Sequence, residues 1–353
     1  MDGNNETPAA CYVTGTRILT ARGSVAVEDL AVGDLAVTAS GEERPVRWIG
    51  HQTVRCRGRA AFLPVRIAAG AFGEGRPARN LMVSPGHTVC VDVLGEVLIP
   101  AIRLVNGTTV AQVPVEKVTY WHVELESHDI LLAEGLPAES YLDMGNRAFF
   151  EGASIGIEPD APVGHNASDF CRPFLEAGPL VEAVRTRLED RAVALGWRKV
   201  EEAFASLHAV ADGHMIRPDV DGLTARFVIP AEAHNVRLVS ATSVPAQVLS
   251  DTSDDRQLGV ALASLVIDDG LTGARRVALD DTRLSEGFHP VDRDGEASWR
   301  WTNGEAVLPA SLWDGCRGTL FLRVRLSGPA LPRWIAPDET AGVVDLDMFR
   351  QQA

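Results

Sequence analysis

The chain has 353 residues, 46% of them hydrophobic and 23% charged, with a formal net charge of −15. The length argues for two domains or three, and the composition for an ordinary globular protein able to bury real cores. The charge is uneven, −4 over residues 1–150 and −11 over the rest, a balance that repels phosphate backbones and excludes nucleic acid as an expected partner of the C-terminal half.

The opening MDGNNETPAACYVTG has neither a basic n-region nor an apolar h-region, so no secretory signal peptide is expected. No apolar run approaches the roughly 18 residues of a membrane span. The expectation is therefore a cytoplasmic protein, or one exported by a leaderless route. Five cysteines stand at 11, 56, 90, 171 and 316. Their odd number, wide spacing and lack of a C-x-x-C indicate neither a disulfide framework nor a structural zinc site, and no metal or other cofactor is expected. Cys56, Cys90, Cys171 and Cys316 read as small buried hydrophobes. Cys11, close behind Ala9-Ala10 at the start of the chain, does not fit that description.

Residues 1–10 are small and polar, and read as a short leader. From 11 to about 150 short apolar runs alternate with turn residues (TRILTA, VAVEDL, VRWIG, NLMVS, HTVCVD, YWHVEL, DILLAE), a pattern of many strands and almost no helix. Arg22-Gly23, Gly33-Asp34, Ser40-Gly41 and Asn106-Gly107 supply hairpin signals. The run of Arg55, Arg57 and Arg59 reads as a solvated loop face. Residues 151–179 lose periodicity to Gly, Pro and Asn, as a linker does. Leu180, Val184, Leu188, Ala192 and Leu195 then recur at helical spacing, with Gly196 as a stop. A second helix is expected near Val200–Val210, after which strands resume (ARFVIPA, VRLVSA, LGVALASLVID, TLFLRVRL). The expected fold is thus mainly β: an all-β domain over 11–150, then a β-sandwich-like domain over 180–353 with one or two helices.

Three blocks carry chemistry. Cys11 opens CYVTGTRILT; Ser84-Pro85-Gly86-His87 lies in the strand frame LMVSPGHTVCVD; His122 and His128 fall in YWHVELESHDILLAEGLPAESYL. Together and in this order they resemble the Hint family, the horseshoe-shaped fold shared by inteins and the Hedgehog C-terminal domain, and most closely its bacterial members that are neither.

The resemblance implies autocatalytic, single-turnover self-processing. The Cys11 thiol would attack the carbonyl of Ala10, an N-to-S acyl shift that turns an amide into a thioester. Such a site must stabilise a tetrahedral oxyanion. Ser84-x-x-His87 stands where the family carries Thr-x-x-His, keeping the hydroxyl that holds the scissile nitrogen. It makes His87 the acid/base for the departing amine. His122 stands near an Asp or Cys that assists the first step in inteins, and His128 on their later His. Ser140 stands where the Hedgehog domain closes on a Cys. ESYLDMGNR holds no His-Asn pair, and His165-Asn166 lies beyond the barrel before Ala167, so cleavage or transfer is expected rather than splicing. The substrate would be the chain's own N-terminal segment, with an acceptor that the residues do not name.

Other readings stay open beside this one. The Hint fold could be a non-catalytic scaffold in a bacterial surface or secreted binding protein. Gly152-Ala153-Ser154-Ile155-Gly156 matches the G-x-S-x-G elbow of α/β-hydrolases, but Pro159 and Pro162 deny it the helix that must follow. Trp299-Arg300-Trp301 could form a stacking platform for carbohydrate, or the tryptophans could be core at period 2.

Overall fold

A computed structural model describes residues 10–143 except Gly58, then Arg147 and Phe150, and residues 169–337 except Ala231, Ser250, Asp251 and Ser253. Residues 1–9 of the leader, the Gly152–Gly156 motif, His165-Asn166 and most of the expected linker lie outside the described residues. The chain divides into two compact units, residues 1–197 and 198–353.

In unit 1 the short apolar runs form two antiparallel sheets, of six and eight strands. Within 10–143 the described helical turns are single 3-10 turns at Val27–Asp29, Ala60–Phe62 and Ala101–Leu104. The first strand, Tyr12–Val13, is two residues long and decides the position of the site. It pairs with Leu81–Val83 on one side and Lys117–Glu124 on the other, matching Tyr12 to Val83 and to Trp121. Antiparallel register then brings the next residue back, Cys11, opposite the next residue on, Ser84 and His122 respectively. Ile18, Val65, Ile67, Leu81, Val83 and Leu131 are fully buried and form the core between the sheets.

The helix is Pro179–Ala194. Proline at its first position costs no hydrogen bond there. Its end is a Schellman cap: Gly196, at φ 95°, donates to Val193 O, and Trp197 donates to Ala192 O. The expected apolar stripe is real, but it faces a different partner from the expected one. Val181, Val184 and Leu188 enter the core of unit 1, each contributing roughly 1.5–3 kcal/mol by burial. The helix belongs with the first domain, and the division falls at 197/198 rather than at 179/180. Periodicity reveals that a helix has an apolar face, not which sheet it covers.

Unit 2 has a four-stranded and a seven-stranded antiparallel sheet, beside the two-stranded pairing of Arg198–Val200 with Arg333–Ile335. Phe227, Leu238, Leu265, Leu308, Leu322 and Val324, from both larger sheets, share one core, the construction of a sandwich. The second helix expected near 200–210 does not form. Arg198–Val200 and His208–Ala211 are strands, and between them Ala205 and Ser206 take φ of 45° and 56°, where a right-handed helix cannot continue. The α-helix of this unit, among the described residues, is the single turn Pro245–Val248. Trp299 and Trp301 are half-buried in the strand Ala297–Thr302 and stand outside the core cluster. Arg300 between them donates to the carbonyls of His289 and Leu279.

Candidate active site at the Ala10–Cys11 peptide

Three of the residues expected from the sequence surround this peptide bond directly. The backbone N–H of Cys11 donates to Ser84 Oγ at 3.1 Å, and Ser84 returns its own N–H to the carbonyl of Cys11 at 2.9 Å. The hydroxyl therefore holds the scissile nitrogen while the backbone holds the strand in register. His122 spans the other side. Its Nε2 lies 3.3 Å from Cys11 Sγ, and its Nδ1 lies 2.8 Å from the carbonyl oxygen of Ala10. A carbonyl only accepts, so Nδ1 carries the ring proton and Nε2 presents its lone pair to the thiol.

His87 sits in the turn Ser84–His87, closed by its N–H on Ser84 O at 3.1 Å, with proline at the second position where its fixed φ suits the turn. Its ring packs against Tyr12 at 4.3 Å between centroids. The side chain is fully buried, and neither ring nitrogen has a partner among the described residues. Leaving such groups unpaired costs about 1–3 kcal/mol each.

Burial dominates the electrostatics. It lowers the pKa of His87 from 6.5 to about 4, against a smaller upward pull from Glu139. It lowers that of His122 to about 3, against the Ala10 hydrogen bond. It pushes the Cys11 thiol far up, with the Ser84 hydroxyl working weakly the other way. At rest the site holds a neutral thiol and two neutral imidazoles. Trp48, Tyr141 and Phe150 wall His122, the last at 4.0 Å between ring centroids. Gly50 lies directly across from His122 in the sheet, where a Cβ would overlap the ring of Trp48.

The structure does not bring His128 to the peptide. Its Nε2 meets Glu139 Oε2 at 3.2 Å, and its Nδ1 accepts the amide of Cys171 at 3.0 Å. Burial alone would lower the pKa of this ring, but Cys171 and the Glu139 carboxylate beside it outweigh burial and raise it to about 9. Glu139 was not singled out in the sequence, although a carboxylate within the apolar frame LPAESYL was a signal. It is buried, takes the Thr88 N–H at 2.7 Å beside His87, and its backbone carbonyl accepts the Tyr12 hydroxyl at 2.8 Å. Ser140 is buried too, bound both ways to the backbone of Asp129. Among the described residues no group of three or more His, Cys, Asp and Glu side chains converges as a metal site, and no helix is long and apolar enough to cross a membrane.

The family model described as the Hint domain matches residues 10–145. The chain is accordingly a Hint-domain protein through this segment. Among solved structures, the bacterial intein-like domain from Clostridium thermocellum aligns at 16% identity over 37% of this chain and 98% of its own, with a TM-score of 0.27. The splicing domain of the Msm DnaB1 intein, solved with zinc bound, aligns at 19% over 36% and 98%, with a TM-score of 0.28. The gp41-1 intein aligns at 11% over 37% and 98%, with a TM-score of 0.24. Among curated proteins, none matches.

Proposed function

We propose that unit 1 cleaves its own chain at Ala10–Cys11 by an N-to-S acyl shift, without splicing. The observation that carries this reading is His122, whose two nitrogens address the nucleophile and the carbonyl oxygen of the same peptide bond. As Cys11 Sγ bonds to the carbonyl carbon, the thiol proton passes to Nε2, and the oxygen gains negative charge against the Nδ1–H. The imidazolium so formed is costly in a buried site, but it forms beside the oxyanion that offsets it. The C–N bond then breaks, with Ser84 holding the nitrogen and His87 supplying its proton. The proton gained by His122 passes on to His87 as that ring gives its own to the nitrogen, so both imidazoles end neutral and the net exchange is S–H for N–H. Water, a thiol, an amine or a hydroxyl would release the segment ending at Ala10 from the thioester.

Neutral imidazoles and a raised thiol pKa make a slow resting site, and that observation favours the second reading, a Hint fold kept as a scaffold. Intact mass after incubation with hydroxylamine separates the two. Self-processing yields a fragment ending at Ala10 and a chain beginning at Cys11, and Cys11→Ala abolishes both. A full-length chain that survives, identical in wild type and variant, leaves the scaffold.

A further inference from the structure

Away from Cys11, unit 1 has a second concave feature. A cleft of about 540 Å³ is bounded by the helix Pro179–Ala194, by residues 71–76 and by the strand Thr88–Asp92. This is within the range of roughly 300–1,000 Å³ typical of small-molecule sites. Its lining includes none of the residues placed around the Ala10–Cys11 bond.

The charges on its wall are not balanced internally. Arg187 and Arg191, one helical turn apart, and Arg76 from the facing loop all line the cleft. Two cations four residues apart on a helix repel one another. Arg191 is anchored through Nε to the carbonyl of Gly70 at 2.8 Å, which fixes its guanidinium. The guanidinium groups of Arg76 and Arg187 have no partner among the described residues. Of the two acids of the lining, Glu96 is paired with Arg172 at 2.5 Å, and Asp92 accepts the Gly95 N–H at 3.1 Å but keeps its charge, so three guanidinium groups face one unpaired carboxylate. Such a cluster in a chain of net charge −15 runs against the general balance. The rest of the wall is apolar, with Phe72, Leu136, Val184 and Leu188.

We propose that this cleft binds a small amphiphilic anion, with a carboxylate or phosphate head held by Arg76, Arg187 and Arg191 over an apolar body. The guanidinium fork suits either head group, because both offer paired oxygens. Cys90 lines the same space, but burial raises its thiol to about 12, so the site binds without capturing its ligand covalently.

Calorimetric titration of the full chain with octanoate, octyl phosphate, 1-octanol and inorganic phosphate tests this. At least one of the two amphiphilic anions should bind about tenfold or more tightly than both octanol and inorganic phosphate, as expected for a charge-assisted contact. The stronger of the two identifies the head group. Arg187→Glu, on an exposed helix position, should weaken that binding by about tenfold or more with an unchanged circular dichroism spectrum, and Arg187→Lys, which keeps the charge without the fork, should weaken it less. If Arg187→Glu fails to fold, Arg76→Glu serves in its place. Octanol binding as tightly as the anions would overturn the proposal, as would equal binding of inorganic phosphate. So would the absence of anion binding at millimolar concentration, or affinity indifferent to the charge reversals.

Discussion

The Nε2 atom of His122 lies 3.3 Å from the sulfur of Cys11. Nothing in local sequence joins these residues; a two-residue strand does, because Tyr12 pairs with Trp121 and so sets Cys11 against His122. With Nδ1 on the Ala10 carbonyl, one ring would act as base toward the thiol and as donor toward the oxyanion. His122→Ala removes both. Thioester formation, read as hydroxylamine-released fragment by mass spectrometry, should fall by at least the roughly 10²–10⁴-fold of a general acid/base. A variant that cleaves at the wild-type rate would remove His122 from the mechanism.

His87 separates stability from activity. A buried ring with two unpartnered nitrogens is a cost to folding that a hydrophobe does not carry. His87→Leu should therefore leave the unfolding free energy unchanged, or raise it by up to about 1–3 kcal/mol, while cleavage drops by roughly 10²–10⁴-fold. Urea unfolding and the mass assay read the two quantities separately. Loss of stability together with unchanged cleavage would make His87 a structural residue.

Which residues meet at the Ala10–Cys11 bond is partly legible in the sequence, and the reasons differ by residue. Cys11, Ser84 and His87 stood out because a nucleophile and a hydroxyl–turn–histidine block in the right order are rare outside a purpose. His122 stood out by position in the third block, although its double contact depends on strand register, which the string of letters does not print. His128 falls in the same sequence block, but its ring is used by Glu139 and Cys171. Two histidines six residues apart look alike until the strand Lys117–Glu124 ends and the chain turns between them. The alternating strands were legible through period 2. The positive φ values at Ala205 and Ser206 that deny a helix there were not, because neither residue advertises that conformation.

The two depressed histidines predict acid sensitivity. A group whose pKa falls on folding binds more protons when unfolded, so stability rises with pH across the interval between the two values. His87 and His122 should contribute their full share above about pH 6.5 and lose it as pH falls toward about 4 and about 3 respectively. Each adds a slope of up to about 1.4 kcal/mol per pH unit in that window. Urea midpoints of wild type and His87→Leu, measured from pH 7 to pH 4, should diverge, with the variant losing less. Parallel curves would mean that His87 is not held neutral by burial.

Gly50 predicts a steric result. It faces His122 across the sheet, and an added methyl would overlap Cη2 and Cζ2 of Trp48. The ring cannot yield freely, being packed against Tyr141 and Phe150 as well. Gly50→Ala should cost about 1–3 kcal/mol, the usual range for overpacking, and slow cleavage by displacing Trp48 toward His122. Thermal unfolding with the mass assay checks both, and an unperturbed variant would show that the wall around His122 is soft.

The last prediction concerns where the chain can be cut. The linker composition ends just before the helix, which by itself assigns the helix to the C-terminal domain. Val181, Val184 and Leu188 instead bury themselves among Hint-unit residues, and the cap on Gly196 closes the helix immediately before the division at 197/198. The core of unit 2 draws its members from residue 205 onward. Expressed alone, 198–353 should be soluble and unfold cooperatively, since its sandwich needs nothing from the helix. The fragment 1–197 should keep whatever cleavage the full chain shows, whereas 1–178 strips three buried side chains from the core. At roughly 1.5–3 kcal/mol each, that loss is comparable to the whole stability of many domains, so 1–178 should aggregate or unfold far more readily than 1–197. Comparable unfolding midpoints for the two fragments would show the helix to be dispensable packing, and the unit would end before it.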